Sequence, residues 1–137
     1  MGSLCFTFSI TSRPTYIPFL RRFISAVDRL SGRRLGKRGV FIVSLALVEA
    51  VNNAIVHAYK GRSDGWIDIS IKVGFKHLLI GVAETGAGFC LKGRIRRFSK
   101  GKGGRGLPII RALMRDVEYR TGKKNQLIMR YCYDDKE

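Results

Sequence analysis

One segment, residues 47–59, organises the interpretation of this chain: Leu47-Val48-Glu49-Ala50-Val51-Asn52-Asn53-Ala54-Ile55-Val56-His57-Ala58-Tyr59. From residue 41 to about residue 58 the pattern is apolar nearly all the way round, which predicts a helix sunk in the core. Glu49, Asn53 and His57 recur every four positions and therefore lie along one stripe of that helix. A carboxylate buried there is costly unless it is paired or used, so Glu49 needs a partner or a reaction.

The polar stripe has a chemical and a structural interpretation. Asn53 offers an amide oxygen that suits a hard ion such as Mg²⁺, and Glu49 would then face the same phosphate and metal centre. Alternatively the stripe merely meets solvent or caps a neighbour, which is the commoner situation for an isolated Glu or Asn. We favour that structural role for His57.

Strands and helices are predicted on both sides of this segment from their apolar periodicity. Upstream, residues 5–11 alternate as a strand, and residues 17–30 form an amphipathic helix with Asp28 among its polar positions. Downstream come strands at 66–73 and 78–83, a helix at 107–115, and strands at 117–121 and 126–133. The order β-α-α-β-β-loop-α-β-β, with the helices on one sheet face, predicts an α+β two-layer sandwich. It forms a single domain over residues 1–137, with 134–137 as a solvated tail.

Composition restricts the class of protein. The chain has 137 residues, 45% of them hydrophobic, which suits one globular domain. No uninterrupted run approaches the roughly 20 apolar residues of a membrane span, and the N-terminus lacks the basic region of a secretory signal. Cys5, Cys90 and Cys132 lie too far apart for a disulfide framework or a zinc site. These features predict a soluble cytoplasmic protein with free thiols.

The formal net charge of +16 indicates an anionic partner, which could be nucleotide, nucleic acid or an acidic protein. Residues 85–106 are rich in glycine, so regular structure should fail there and a mobile loop is expected. Residues 85–115 contain no acidic side chain, and their basic side chains are Lys92, Arg94, Arg96, Arg97, Lys100, Lys102, Arg105, Arg111 and Arg115. Positive charge is therefore concentrated in and beside this loop.

Three blocks of the sequence resemble the ATP-binding boxes of a known family. The eleven residues 49–59 resemble the N-box of GHKL ATPases, in the form ending His-Ala-Tyr that is typical of anti-sigma-factor serine kinases. Residues 84–89 resemble the first glycine box, although Glu84 stands where the family has Asp. Residues 103–119 resemble the second glycine box with its following helix and strand. The blocks occur in the family's order with compatible spacing.

The resemblance implies a site for ATP and Mg²⁺. By it, Glu49 would be the general base, Asn53 the Mg²⁺ ligand, and Glu84 the acceptor from the adenine amino group. Either Lys102 or Arg105 would contact the terminal phosphate, and the sequence leaves open which of them does so. The remaining implied nucleotide contacts are Gly86, Gly88, Gly104, Gly106 and Leu107, since free N–H groups at a helix start can bind phosphate.

The implied fold is of the Bergerat type: a mixed, mostly antiparallel sheet covered on one face by about three helices, with a Gly/Lys/Arg-rich ATP lid. The implied function is serine kinase and anti-sigma factor in transcription regulation. Such a protein phosphorylates a Ser or Thr of a STAS-type anti-sigma-factor antagonist, sequesters a sigma factor and often forms a homodimer.

Three alternatives remain to this function. A nucleotide-dependent binding module would regulate a partner without phosphotransfer. A nucleic-acid-binding protein would use the basic loop with Phe89 and Phe98 as stacking rings. A sensor histidine kinase fragment is less well supported, because the only histidines are His57 and His77 and no phosphoacceptor helix pair precedes the boxes.

Overall fold

Five strands and three α-helices form the part of the chain described by the computed structural model, residues 3–86 and 106–133. The strands are β1 Leu4–Thr11, β2 Trp66–Val73, β3 His77–Glu84, β4 Arg115–Arg120 and β5 Asn125–Cys132. The helices are α1 Ile17–Leu30, α2 Gly36–Asn53 and α3 Gly106–Leu113, with a 3₁₀ turn at Pro14–Tyr16 and a π-helical turn at Ala54–Ala58. The predicted order of elements is confirmed, while most of the predicted loop lies outside the described residues.

The strands form one sheet in the order β1-β2-β3-β5-β4, and all four pairings are antiparallel. Along β2 the burial alternates, so that Ile67, Ile69 and Ile71 are buried while Ser70 and Lys72 are exposed on the other face. Such alternation is what a sheet covered on one face requires. The predicted α+β sandwich is therefore confirmed, whereas the sheet is wholly antiparallel in the described ranges and not mixed.

Helix α2 is the centre of the helical layer and contacts both α1 and α3. Val43, Leu47 and Val51 are fully buried, as the nearly continuous apolar pattern predicted. Within the described ranges, Gly36–Ala58 is also the one helix long and apolar enough to cross a membrane, with a mean hydropathy of 1.9. Counting only uninterrupted apolar residues missed it. Because 61% of its most apolar window is buried inside the protein itself, we interpret it as a core helix.

The start of α2 lies five residues before the predicted one, because a side chain from α1 caps it. Asp28 Oδ1 accepts the backbone N–H groups of Leu35 at 2.9 Å and Gly36 at 3.2 Å. Such N–H groups have no partner within a helix, so an acceptor there stabilises its start. Asp28 is only 3% exposed and lies 3.6 Å from the Arg33 guanidinium. Its interpretation as one more polar position of an amphipathic helix was therefore wrong.

The boundary between α3 and β4 also differs from the sequence prediction. The helix ends at Leu113 and the strand begins at Arg115, two residues before the predicted start. Between Arg115 and Glu118 the pairing with β5 shifts register, and Asp116 has a positive φ of 49°. Such a bulge breaks the alternation by which strands are recognised in a sequence.

Candidate functional site

The polar stripe lies at the C-terminal end of α2, where two of its side chains have no partner in the part of the chain that the structure describes. Asn53 is only 7% exposed and Glu49 is half-buried. Among residues 3–86 and 106–133, neither side chain takes part in a hydrogen bond or an ion pair. Most polar side chains of buried residues in proteins have a partner. This arrangement therefore suits a ligand that supplies the missing contacts.

A π-helical turn, Ala54–Ala58, follows Asn53 directly. The Tyr59 N–H donates to the Ala54 carbonyl at 3.0 Å, which is the bond between residues five apart that defines a π turn. Turns of this kind are rare and occur frequently at functional sites. Because a π turn takes more residues per revolution, spacing by four no longer places His57 directly above Asn53. His57 is half-buried and is engaged elsewhere in the protein.

Tyr59 connects the end of this helix to the sheet. The side chain is 2% exposed, and its hydroxyl donates to the Trp66 carbonyl at 2.6 Å while accepting the Thr85 N–H at 2.9 Å. The tyrosine thereby positions the turn after β3 against the helix end. Sequence analysis included Tyr59 in the N-box without giving it a role. This role could have been predicted, because Tyr59 ends a buried helical segment and a buried tyrosine hydroxyl needs a hydrogen-bond partner.

Glu84 ends β3 and is 3% exposed. Its Oε1 accepts the Gly86 N–H at 2.9 Å and the Asn125 side-chain amide at 3.3 Å, and its Oε2 accepts the Tyr119 hydroxyl at 2.9 Å. An ionised carboxylate has about four acceptor positions. Donors from the described residues thus use three of these positions.

Gly86 lies so close to the helix end that it cannot carry a side chain. A Cβ there would be 2.4 Å from the Ala58 carbonyl oxygen and 2.8 Å from the Tyr59 ring. Glycine is used where backbone must approach another group this closely. The first glycine box therefore packs directly against the end of the N-box segment, and the two predicted blocks meet in space.

The second glycine box is only partly described. Gly106 begins α3 and Leu107 is 2% exposed, so the Leu107 side chain packs in the core and only its backbone is free for a nucleotide. The other predicted contacts, Gly88, Lys102, Gly104 and Arg105, lie outside the described residues.

Within the described ranges no group of three His, Cys, Asp or Glu gathers to hold a metal ion. Asn53 fits a Mg²⁺ that keeps waters and phosphate oxygens as its other ligands, because such an ion needs few protein groups. The observation that supports this fit is that Asn53 is 7% exposed and its amide has no partner within the described ranges.

The sandwich and its paired boxes define a class of nucleotide-binding domain. Residues 10–131 match the family model of the histidine kinase-like ATPase domain, and the chain belongs to this family. Among curated relatives it is similar to the serine-protein kinase RsbW of Listeria innocua, with 26% identity over 141 residues that cover 96% of this chain and 88% of the relative. It is also similar to the RsbW kinase of Oceanobacillus iheyensis, with 28% identity over 120 residues, 80% of this chain and 74% of that one.

Solved structures support the fold independently. The crystal structure of the RsbU and RsbW domains of a Mycobacterium tuberculosis protein superposes with a TM-score of 0.66 at 14% identity. That alignment covers 95% of this chain and 32% of the other, so this chain spans about a third of the solved protein. The histidine kinase domain of a blue-light activated kinase from Erythrobacter litoralis gives 0.56 at 18% identity, covering 86% and 61%.

Proposed function

We propose that this protein is an ATP-dependent serine protein kinase that also acts as an anti-sigma factor. It transfers the γ-phosphate of ATP to a Ser or Thr of an anti-sigma-factor antagonist of the STAS type, and it sequesters a sigma factor in the cytoplasm. One observation carries the proposal: Glu49 and Asn53 have no partner among residues 3–86 and 106–133, and they lie at the helix end against which the Gly86 turn packs. The similarity to RsbW kinases supports the choice of reaction.

The proposed reaction is an in-line phosphoryl transfer. The acceptor hydroxyl attacks the γ-phosphorus, the bond from that phosphorus to the bridging oxygen breaks, and ADP leaves. Glu49 takes the proton of the hydroxyl as general base. Asn53 would hold the Mg²⁺ that neutralises phosphate charge. Glu84 would accept from the adenine amino group through its remaining acceptor position.

The phosphate end of the proposed site depends on backbone and basic groups. Gly86, Gly88, Gly104 and Gly106 would allow close approach of backbone to the nucleotide, and Leu107 would offer its N–H at the start of α3. Lys102 or Arg105 would neutralise charge on the transferred phosphoryl group.

The test is incorporation of label from γ-labelled ATP into a purified STAS-type antagonist from the same organism, with and without Mg²⁺. Calorimetric titration with ATP, GTP and ADP measures nucleotide binding in parallel. We expect saturable, Mg²⁺-dependent ATP binding and one phosphorylated Ser or Thr. Absence of saturable binding to any of the three nucleotides would refute the proposal.

A nucleotide-dependent binding module is the second candidate. The three protein donors on Glu84 favour it, because they restrict the geometry left for the base. Its signature is an ATP-dependent change in the affinity for a partner without incorporation of phosphate into that partner.

Salt-sensitive retention on DNA that ATP does not alter would instead support nucleic-acid binding. A homodimer is a further part of the proposal, and analytical sedimentation of the purified protein tests it.

A further inference from the structure

A cleft lies at the end of the sheet remote from the candidate nucleotide site. We call it the distal cleft. It has a volume of about 980 Å³ and is enclosed by the first turns of α2, the β2–β3 turn, the start of β4 and the end of β5. Arg38 lines it, and fifteen residues of helix separate Arg38 from Asn53, which is about 22 Å at 1.5 Å per residue. The two sites therefore lie at opposite ends of α2.

The distal cleft is strongly basic. Arg38, Lys76, Arg115, Arg130 and His77 line it, and among the described residues that line it none is acidic. Arg130 Nε lies 3.1 Å from an Asp116 carboxylate oxygen, and Arg130 also bonds to His77 at 2.9 Å. Of the ion pairs between described residues, none involves the exposed side chains of Arg38, Lys76 or Arg115. Several like charges facing one concavity favour an anionic occupant.

An aromatic wall accompanies the charge. Phe75 is 78% exposed at the rim, and the Arg34 guanidinium lies over its ring and over the Tyr133 ring at 5.8 and 5.9 Å. Arg34 also donates to the Gly74 and Phe75 carbonyls at 3.2 and 3.1 Å. The exposed phenylalanine is therefore held in place, as aromatic anchors of protein interfaces commonly are.

One end of β5 has an unpaired edge beside the distal cleft. β4 begins opposite Arg130, whereas β5 continues to Cys132. The last residues of β5 therefore extend past the first residue of the outer strand and line the cleft beside Leu113. An extended peptide can lie along such an unpaired edge while its side chains enter adjacent pockets.

We propose that the distal cleft docks an acidic segment of a partner protein that carries a bulky apolar side chain. The basic groups suit its carboxylates, and Phe75, Ile42 and Leu113 suit its apolar residue. A nucleic acid fits less well, because Phe75, Ile42 and Leu113 lie among the basic side chains of the cleft, and backbone tracking needs an extended basic track. The inference does not depend on phosphotransfer.

The probe is a fluorescein-labelled nine-residue peptide made of Asp, Glu, Leu and Phe, titrated against the full chain with fluorescence anisotropy. We expect the double substitution Arg38→Glu with Arg115→Glu to weaken binding at least tenfold. The matched control, Arg13→Glu with Arg22→Glu, changes the net charge equally at exposed positions away from the cleft and should change affinity less than threefold. Equal weakening by both pairs would overturn the proposal.

A second readout locates the bound peptide. Cys132 lines the distal cleft, whereas Cys5 is an exposed thiol on the opposite edge strand. Bound peptide should slow iodoacetamide alkylation of Cys132 and leave that of Cys5 unchanged, as read by mass spectrometry. Asn53→Ala should bind the peptide as the unmodified chain does, which separates this site from the nucleotide site. Unprotected Cys132, or tighter binding of a charge-matched oligothymidylate that depends on Arg38 and Arg115, would overturn the peptide assignment.

Discussion

Two buried polar residues at the candidate nucleotide site have opposite surroundings. Glu84 is satisfied by three donors from its own chain, whereas the Asn53 amide, also buried, has no partner among the described residues. The three donors hold the Glu84 carboxylate in one orientation. An unsatisfied amide beside a half-buried carboxylate does not stabilise the fold, so its presence is better explained by a ligand. Asn53 and Glu49 are therefore the residues whose substitution tests function most directly.

Asn53→Ala should weaken ATP binding in the presence of Mg²⁺ by about 10-fold to 100-fold, the scale on which groups around a metal site contribute. The same substitution should change the affinity for ATP in EDTA much less, because the Asn53 amide would act on the nucleotide through the Mg²⁺ ion. Calorimetric titration with and without Mg²⁺ gives both values. Equal affinities for the variant and the unmodified chain in Mg²⁺ would remove Asn53 from the metal site.

Glu49→Ala should leave the dissociation constant for Mg²⁺-ATP within about twofold and lower the phosphotransfer rate by about 10²-fold to 10⁴-fold, the usual contribution of a general base. The fold should tolerate the change, because Glu49 makes no hydrogen bond within the described ranges. Single-turnover transfer at saturating ATP separates the chemical step from binding. Unchanged transfer would exclude Glu49 as the base.

At the scale of elements, the site depends on contact between the end of α2 and the turn after β3. Tyr59 bonds to both the start of β2 and the Thr85 N–H, and Gly86 lies against the Ala58 carbonyl. These contacts fix the distance between the polar stripe of α2 and the carboxylate of Glu84. A change that separates the two elements should therefore affect nucleotide binding without altering any proposed ligand.

Gly86→Ala is such a change. Its Cβ would lie 2.4 Å from the Ala58 carbonyl oxygen, so the turn must move. We expect ATP affinity to fall at least tenfold, together with a loss of about 1–3 kcal/mol in the free energy of unfolding. Gly122→Ala is the matched control, because the nearest atom to its Cβ is 3.7 Å away. If both variants bind ATP equally well, the close approach at Gly86 does not matter for the site.

The open face of the sheet has its own polar link. Asp68 on β2 accepts the Ser9 hydroxyl and the Lys124 ammonium, both at 2.6 Å, and so joins β1, β2 and the β4–β5 turn. The Lys124 bond, followed by the Ser9 bond, lowers the pKa of Asp68 below its ordinary value of 3.8. When folding lowers the pKa of a carboxyl group, the ionised group stabilises the folded protein. This contribution is fully present above the pKa of the unfolded chain, and it is lost as the pH falls through the pKa of the folded protein.

Asp68→Asn should therefore cost stability at pH 7 and progressively less below about pH 4. Both partners are partly exposed, so we expect only about 0.5–1 kcal/mol at pH 7. Urea unfolding of both proteins between pH 2 and pH 7 measures this difference. A difference that stays constant across the range would show that the ionised pair does not contribute.

The helices and strands were predictable from sequence because each of them buries one face. That burial is visible in the sequence as alternating apolar residues in the strands and as a nearly continuous apolar pattern in α2. Boundaries set by contacts distant in sequence were not predictable. The start of α2 depends on Asp28 of another helix, and the start of β4 is hidden by a bulge. Likewise the motifs located Glu49, Asn53 and Glu84. They could not reveal the donors on Glu84 or the linking role of Tyr59, since those contacts join residues far apart in the chain.

At the scale of the whole molecule, charge and topology separate two regions. Asp64, Asp68, Asp116 and Glu118 each form an ion pair with a basic side chain, so the charge left uncompensated on the described surface is positive. α2 connects the two regions, with the distal cleft at its start and the polar stripe at its end. Because the two sites are far apart, we expect a ligand at one site to leave the affinity of the other unchanged. A change in that affinity would show that α2 couples the two sites.

Mg²⁺-ATP at one hundred times its dissociation constant should stabilise the folded protein by about 2.7 kcal/mol, because a ligand that binds only the native state shifts the unfolding equilibrium. For a domain of this size that corresponds to a rise in Tm of about 8 °C. At the same nucleotide concentration Asn53→Ala should show a smaller rise. The Arg38→Glu and Arg115→Glu pair should show the full rise, because its positions lie at the opposite end of α2. A full rise for Asn53→Ala would contradict the nucleotide site. A reduced rise for the arginine pair would instead show that α2 transmits changes between the two sites.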